Sequence, residues 1–167
     1  MFDTLQTFAE VAIGVAGFTG VIVAFRKVTD PLGQFRLKSL LSLSGEVILF
    51  SFVPQMLTTV LGPKLLWSTA AVAYGIFHIA QIVFSYRAIK SVEEMVDFVE
   101  ALDQKSMIIG VLISVSLIIA GFSGYTNIAQ LVYTVLLLWA IGIAGLQFLR
   151  ILLLHTDKEA NQDQHDA

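Results

Sequence analysis

Three ionisable side chains lie inside long apolar stretches of the sequence, and two of them, Glu46 and His78, lie in neighbouring stretches; the third is Glu10. An ionisable residue within a membrane-spanning helix is costly to insert, and for that reason it is a functional candidate by default. A helix rise of about 1.5 Å per residue places Glu46 roughly 6 Å and His78 roughly 4 Å from the middle of their spans, on the same side. Gln81 follows roughly 8 Å from the middle. A carboxylate and an imidazole at one depth can exchange a proton, because histidine titrates near neutrality.

Polar residues extend this pair along both helices with the spacing i, i+3, i+7. The two stripes consist of Ser39, Ser42 and Glu46 in one helix and of His78, Gln81 and Ser85 in the next. Both stripes must turn away from lipid, so we expect the helices to face each other there. Two interpretations stay open: a proton-exchanging pair, or a polar contact that only holds the two helices together.

A second polar layer is predicted in the opposite half of the membrane. Glu10 lies roughly 7–8 Å from the middle of the first span, and Gln55 in the second span reaches a similar height. Pro54 removes one backbone donor and is expected to kink its helix, which frees a backbone carbonyl. Polar layers in both halves are what a path for protons or cations needs, and they also help helices to associate in lipid.

The composition explains why these residues must be considered in a membrane. Of the 167 residues, 56% are hydrophobic and only 14% are charged, whereas a soluble domain carries about 25% charged residues. A span needs roughly 20 mostly apolar residues. Five stretches meet this requirement, at residues 5–25, 39–61, 65–86, 107–124 and 128–149. The sequence therefore predicts an all-α bundle of five transmembrane helices within residues 1–154.

The distribution of basic residues predicts the orientation of the bundle. Five spans place nine of the ten Lys and Arg residues on one side of the membrane and only Lys64 on the other. The positive-inside rule assigns the basic side to the cytoplasm, with the N-terminus outside and the C-terminus inside. The first span lacks the cationic start and the cleavage site of a signal peptide, so we expect it to be a permanent helix of a plasma or bacterial inner membrane.

Two segments are predicted to lie outside the bilayer. Residues 91–105 have the apolar periodicity of a short amphipathic helix, and their acidic polar face favours contact with a protein over contact with anionic lipid. This helix could bind a cytoplasmic protein partner. Residues 155–167 are polar and lack apolar periodicity, which predicts a disordered tail.

Small residues form stripes along three of the spans. Such stripes allow helix backbones to approach closely in lipid, and we expect them to form contacts between helices and between subunits of a homo-oligomer. The stripe residues are Gly14, Gly17, Gly110, Ser114, Gly121, Gly142 and Gly145.

Several kinds of chemistry lack their residues. No phosphate-binding loop or dinucleotide motif is present, and the sequence has no cysteine and only three histidines, two of which lie in or beside the tail. We therefore expect no enzyme activity, no cofactor and no metal centre. A net charge of −3 gives no basic surface for nucleic acid.

Two functions remain as expectations. The first is movement of a proton or cation through a small homo-oligomer, with Glu46, His78 and Gln81 as the inner polar cluster, Glu10 and Gln55 as the outer one, and Pro54 as the flexible point between them. The alternative is a non-catalytic membrane subunit or adaptor that acts through protein contacts.

Overall fold

The computed structural model describes residues 1–25, 31–90 and 97–163, and within them the side chains of residues 1–21, 33–87 and 105–152. This part of the chain forms five α-helices. They are α1 (Phe2–Phe25), α2 (Pro31–Leu57), α3 (Pro63–Lys90), α4 (Asp97–Ser123) and α5 (Thr126–Asp163). All five are long and apolar enough to cross a membrane, which confirms the predicted all-helical fold with five candidate spans.

Large apolar side chains cover the outer surface of the bundle. The most exposed include Phe18, Met56, Phe84, Phe122 and Leu131, each 65–78% exposed. Exposure of so much apolar surface to water would be unfavourable in free energy, whereas contact with the hydrocarbon of a bilayer avoids this cost. The exposed surface is therefore compatible with an integral membrane protein.

Helix α5 occupies the centre, because it contacts each of the other four helices. Its buried side chains recur every three or four residues, as expected for one face of a helix. They include Ala129, Tyr133, Leu136, Leu137, Ala140 and Ala144. The alanines let neighbouring backbones approach, while the larger side chains fill the space between α2, α3 and α4.

Glycines bring α3 and α4 into close contact. A Cβ atom at Gly75 would lie 2.6 Å from Cγ1 of Ile118 and 2.9 Å from the backbone oxygen of Ser114, and one at Gly121 would lie 3.1 Å from the backbone oxygen of Ser68. These two helices run antiparallel, with Gly75 near the middle of the contact. The stripe predicted on α4 thus packs within the chain.

The remaining predicted glycines have open surroundings. A Cβ atom at Gly14, Gly17, Gly142 or Gly145 would meet nothing within 4 Å. These positions on α1 and α5 make no close contact inside the described part of the chain. Contacts between subunits at these glycines stay a prediction.

Short turns connect the helices on the side where α3 and α5 begin. Gly124 has a φ of 74°, a left-handed conformation that suits glycine and ends α4 directly before α5. Pro63 opens α3, where its missing N–H costs no helical hydrogen bond. The two tight turns oblige α2 and α3, and likewise α4 and α5, to run antiparallel.

Two predicted segments differ from the structure. Residues 97–105 are part of the unbroken helix α4 rather than of a separate amphipathic helix at 91–105; residues 91–96 lie outside the described residues. Helix α5 continues through residues 155–163, where the sequence predicts a disordered tail, and residues 164–167 are not described. Neither segment contains a Pro or Gly to stop a helix that has already started, and extension is far easier than nucleation.

Candidate functional site

A buried hydrogen bond joins Glu46 of α2 to His78 of α3. Nδ1 of His78 lies 2.5 Å from Oε1 of Glu46, and an N–H at this nitrogen donates to the carboxylate when Glu46 is charged. Glu46 is 2% exposed and His78 is 3% exposed. The two residues that the sequence places at one depth are therefore in direct contact inside the bundle, shielded from lipid.

The local sequence explains why these side chains point inward. On α2, Glu46 lies between the buried residues Leu43, Val47 and Phe50, so the apolar face of the helix carries the carboxylate into the core. Phe50 stacks on Tyr74 of α3, with ring centroids 4.4 Å apart. Because α2 and α3 run antiparallel, this stacking one turn away sets the register that brings Glu46 opposite His78.

The other ring nitrogen of His78 faces α4. A Cβ atom at Gly110 would lie 3.3 Å from Nε2 of His78, 3.1 Å from Cδ1 of Ile82 and 3.4 Å from Nε1 of Trp139. Glycine at this position leaves room for the imidazole and the indole. His78 thus presents Nδ1 to the buried carboxylate and Nε2 to the space between α3, α4 and α5.

That space belongs to a partly enclosed cavity of about 60 Å³, enough for several water molecules. The cavity lies towards the end of the bundle at which α2 and α4 begin. Its polar lining residues come from four helices, and they are Ser39, His78, Gln81, Ser85, Ser106 and Gln147. The predicted neighbours Gln81, Ser39 and Ser85 therefore share one cavity with His78, whereas Ser42 of the predicted stripe is exposed on the outer surface.

Aromatic side chains pack against Glu46 and His78 on the side opposite the cavity. Tyr74 and Tyr133 have ring centroids 5.0 Å apart, and Trp67 packs edge-on against Tyr133 at 5.8 Å. Both tyrosines are fully buried. With Phe50 they form an aromatic cluster, which we define as Phe50, Trp67, Tyr74 and Tyr133. This cluster separates Glu46 from the end of the bundle at which α3 and α5 begin.

The sequence predicts that Pro54 frees a backbone carbonyl, and this carbonyl belongs to a residue of the aromatic cluster. A proline removes the hydrogen bond to the carbonyl four residues earlier, which is the carbonyl of Phe50. The hydroxyl of Tyr133 donates to that oxygen over 2.5 Å. Helix α2 continues three residues past Pro54 and ends at Leu57.

The two residues of the predicted outer layer do not meet. Glu10 is exposed on α1, and its carboxylate accepts a hydrogen bond from Nε2 of Gln6 on the same helix at 3.0 Å. Gln55 is half-buried on α2. Its backbone oxygen accepts a hydrogen bond from the hydroxyl of Thr58. Among the described residues, the structure brings together the inner cluster and not the outer one.

Two residues of the site, Tyr74 and Tyr133, and one other buried polar residue, Arg36, do not emerge from the sequence pattern. Arg36 is 4% exposed inside α2, because that helix begins at Pro31 and not near residue 39 as predicted. Tyr74 precedes His78 by one helical turn, and this spacing predicts that both side chains lie on the same face of α3. Tyr133 lies on α5, and no local pattern links it to Phe50.

The donor set fits a proton better than a metal ion. In the described residues no group of three or more His, Asp or Glu side chains is arranged to hold a metal. Ca²⁺ takes at least six oxygen ligands, and Mg²⁺ demands an octahedral set. Glu46 instead has an imidazole N–H against one oxygen and a phenol beside it.

Comparison with known proteins adds no family: the chain matches no protein-family model, no curated protein sequence and no solved structure at a significant level.

Proposed function

We propose that this chain is a proton-translocating membrane protein in which Glu46 and His78 bind and release the proton. One observation carries the proposal: the imidazole of His78 contacts the buried carboxylate through Nδ1 and lines a polar cavity. An imidazole can accept a proton at one nitrogen while it gives up a proton at the other, so it can relay protons between the two environments.

The aromatic cluster favours a transporter over an open channel. Polar groups lead from the cavity to Glu46, but Phe50, Tyr74 and Tyr133 pack against one another beyond it. A proton that enters from the cavity and reaches Glu46 is therefore blocked by the packed rings of the aromatic cluster. Transport would then require a change of packing around α2 and α5, with Pro54 as the position in α2 that tolerates bending.

Proton flux into liposomes tests this function. We expect reconstituted protein to acidify or alkalinise vesicles that contain a pH dye when a proton gradient and a balancing potassium conductance are supplied. Glu46→Gln and His78→Ala are each expected to lower this flux about 100-fold, the lower end of what a positioned acid–base group contributes. Glu10→Gln is the matched control, because it makes the same change at an exposed position and should conduct like the wild type.

Two results would overturn the proposal. One is flux that persists unchanged in both Glu46→Gln and His78→Ala. The other is a wild-type protein that is folded and correctly inserted but moves no more protons than empty liposomes. The Glu10 control separates loss of the proton site from a general effect of removing a carboxylate.

A non-catalytic membrane subunit or adaptor is the second candidate. It is favoured by the open surroundings of Gly14, Gly17 and Gly142, which leave α1 and α5 free to pack on another membrane protein. In this function Glu46 and His78 would only tie α2 to α3. Purification from native membranes in mild detergent discriminates, since an adaptor should bring a stoichiometric partner of different sequence.

The remaining predictions concern assembly and orientation. We propose a homo-oligomer in a plasma or bacterial inner membrane, with the C-terminus and the cavity on the cytoplasmic side. A protein partner could bind on that side within residues 91–105. Blue-native electrophoresis that shows only the monomer mass would contradict the homo-oligomer, and protease access to a C-terminal tag in sealed vesicles would test the orientation.

A further inference from the structure

The second oxygen of Glu46 has no hydrogen-bond partner in the structure. His78 donates to Oε1, whereas Oε2 is buried and accepts no hydrogen bond of normal geometry. A buried carboxylate oxygen without a donor is costly, since its hydration has been lost and nothing replaces it. The site of the proposed proton exchange is therefore incomplete with His78 alone.

Tyr74 places a hydroxyl beside this carboxylate. The hydroxyl is itself buried and makes no hydrogen bond of normal geometry. The Tyr74 ring is held on two sides, because it stacks on Phe50 at 4.4 Å and packs edge-on against the ring of His78 at 6.2 Å. The side chain is 0% exposed. Two unsatisfied groups of matching chemistry thus lie next to each other in the core.

We infer that Tyr74 is the second hydrogen-bond partner of Glu46 and makes the site selective for the proton; this inference rests on the proposed function. When the carboxylate is charged, the Tyr74 hydroxyl donates to Oε2. When Oε2 carries the proton, the same hydroxyl accepts the hydrogen bond, because a phenol is both donor and acceptor. The proton that His78 gives up reaches the carboxyl oxygen at its Nδ1, and a half-turn of the carboxyl group carries this proton to the side of Tyr74, which keeps its own proton.

This arrangement explains why a phenol suits the position better than a cationic side chain. Lysine and arginine can only donate, so either would favour the charged carboxylate and oppose its protonation. Among the described residues, the titratable groups that interact with Glu46 include His78 and Tyr74 from α3 and Tyr133 from α5. Tyr133 donates its hydroxyl proton to Phe50, which leaves Tyr74 for the carboxylate.

Infrared difference spectroscopy of the reconstituted protein tests the inference. A pH change should produce a carboxylic acid C=O band that is absent in Glu46→Gln, which assigns the band to Glu46. Tyr74→Phe should shift this band to higher wavenumber, because the acid O–H loses its hydrogen-bond acceptor and delocalises less electron density into the C=O bond. It should also lower proton flux about tenfold, equivalent to about 1.4 kcal/mol. Tyr133→Phe, the same change in the adjacent ring, should leave the band in place.

Each alternative result has a distinct meaning. An unshifted Glu46 band in Tyr74→Phe overturns the inference, and so does the absence of a Glu46 band at every pH, since the carboxyl would then never accept the proton. A shifted band in a protein without proton flux would support the Tyr74–Glu46 contact and reject the proposed function. Circular dichroism of each variant verifies that the helices have formed.

Discussion

The hydroxyl of Tyr133 in α5 donates a hydrogen bond to the backbone oxygen of Phe50 in α2, the carbonyl that Pro54 deprives of its helical donor. A side chain 83 residues away in the sequence thus replaces a hydrogen bond that the backbone cannot make. In lipid this replacement matters, because no water is available to satisfy a free carbonyl. The contact also ties the central helix to the aromatic cluster.

Removal of the Tyr133 hydroxyl should destabilise the protein unless Pro54 is replaced as well. We expect Tyr133→Phe to lower the free energy of unfolding by about 1–3 kcal/mol, because the Phe50 carbonyl loses its donor. In a Pro54→Ala background the alanine N–H can bond the same carbonyl, so the cost of Tyr133→Phe should shrink. Reversible unfolding in detergent micelles measures the cycle. Equal costs in both backgrounds would show that the two residues do not share this carbonyl.

The buried pair should behave as a unit in stability as well as in flux. His78→Ala should cost about 3–5 kcal/mol when Glu46 is present, because it leaves a buried carboxylate without its donor. The cost should be smaller in Glu46→Gln, since a neutral amide needs the imidazole less. Thermal unfolding of the four proteins gives the coupling between the positions. Additive effects would mean that the pair contributes no mutual stabilisation.

The glycines of the bundle should fall into two classes when they are changed to alanine. Gly75→Ala should destabilise the protein, because the new Cβ would lie 2.6 Å from Ile118 and 2.9 Å from the Ser114 backbone oxygen, and backbone cannot move aside cheaply. Gly142→Ala meets nothing within 4 Å and should leave the thermal midpoint unchanged or slightly higher. A reduced midpoint for Gly142→Ala in the isolated protein would indicate that this face is packed in an oligomer.

Access to the site should come from one end only. The chain contains no cysteine, so each introduced cysteine is its only thiol. Ser39→Cys lies in the cavity and should react with a membrane-impermeant thiol reagent from one side of sealed vesicles. Ser51→Cys replaces a side chain that is 1% exposed near the aromatic cluster and should not react from either side. Labelling of Ser51→Cys from the opposite side would reveal a second entrance.

Much of the membrane architecture follows from local sequence. Five apolar stretches of sufficient length predict five helices, and the structure has them. Their ends are less well predicted: α2 begins at Pro31 and α4 at Asp97. A helix does not stop where hydrophobicity stops, since polar residues such as those around Arg36 extend it at little cost. That is why a buried arginine inside α2 escapes a hydrophobicity criterion.

The sequence by itself also determined that Glu46 and His78 are at a similar depth, because helix rise is constant and the turn between α2 and α3 is short. Tertiary structure decided which of the polar residues at similar depths meet. It paired Glu46 with His78 and left Glu10 on the outer surface. Rotation of each helix about its axis depends on how all its neighbours pack, and side chains such as Tyr133 reach positions that no spacing along the chain encodes.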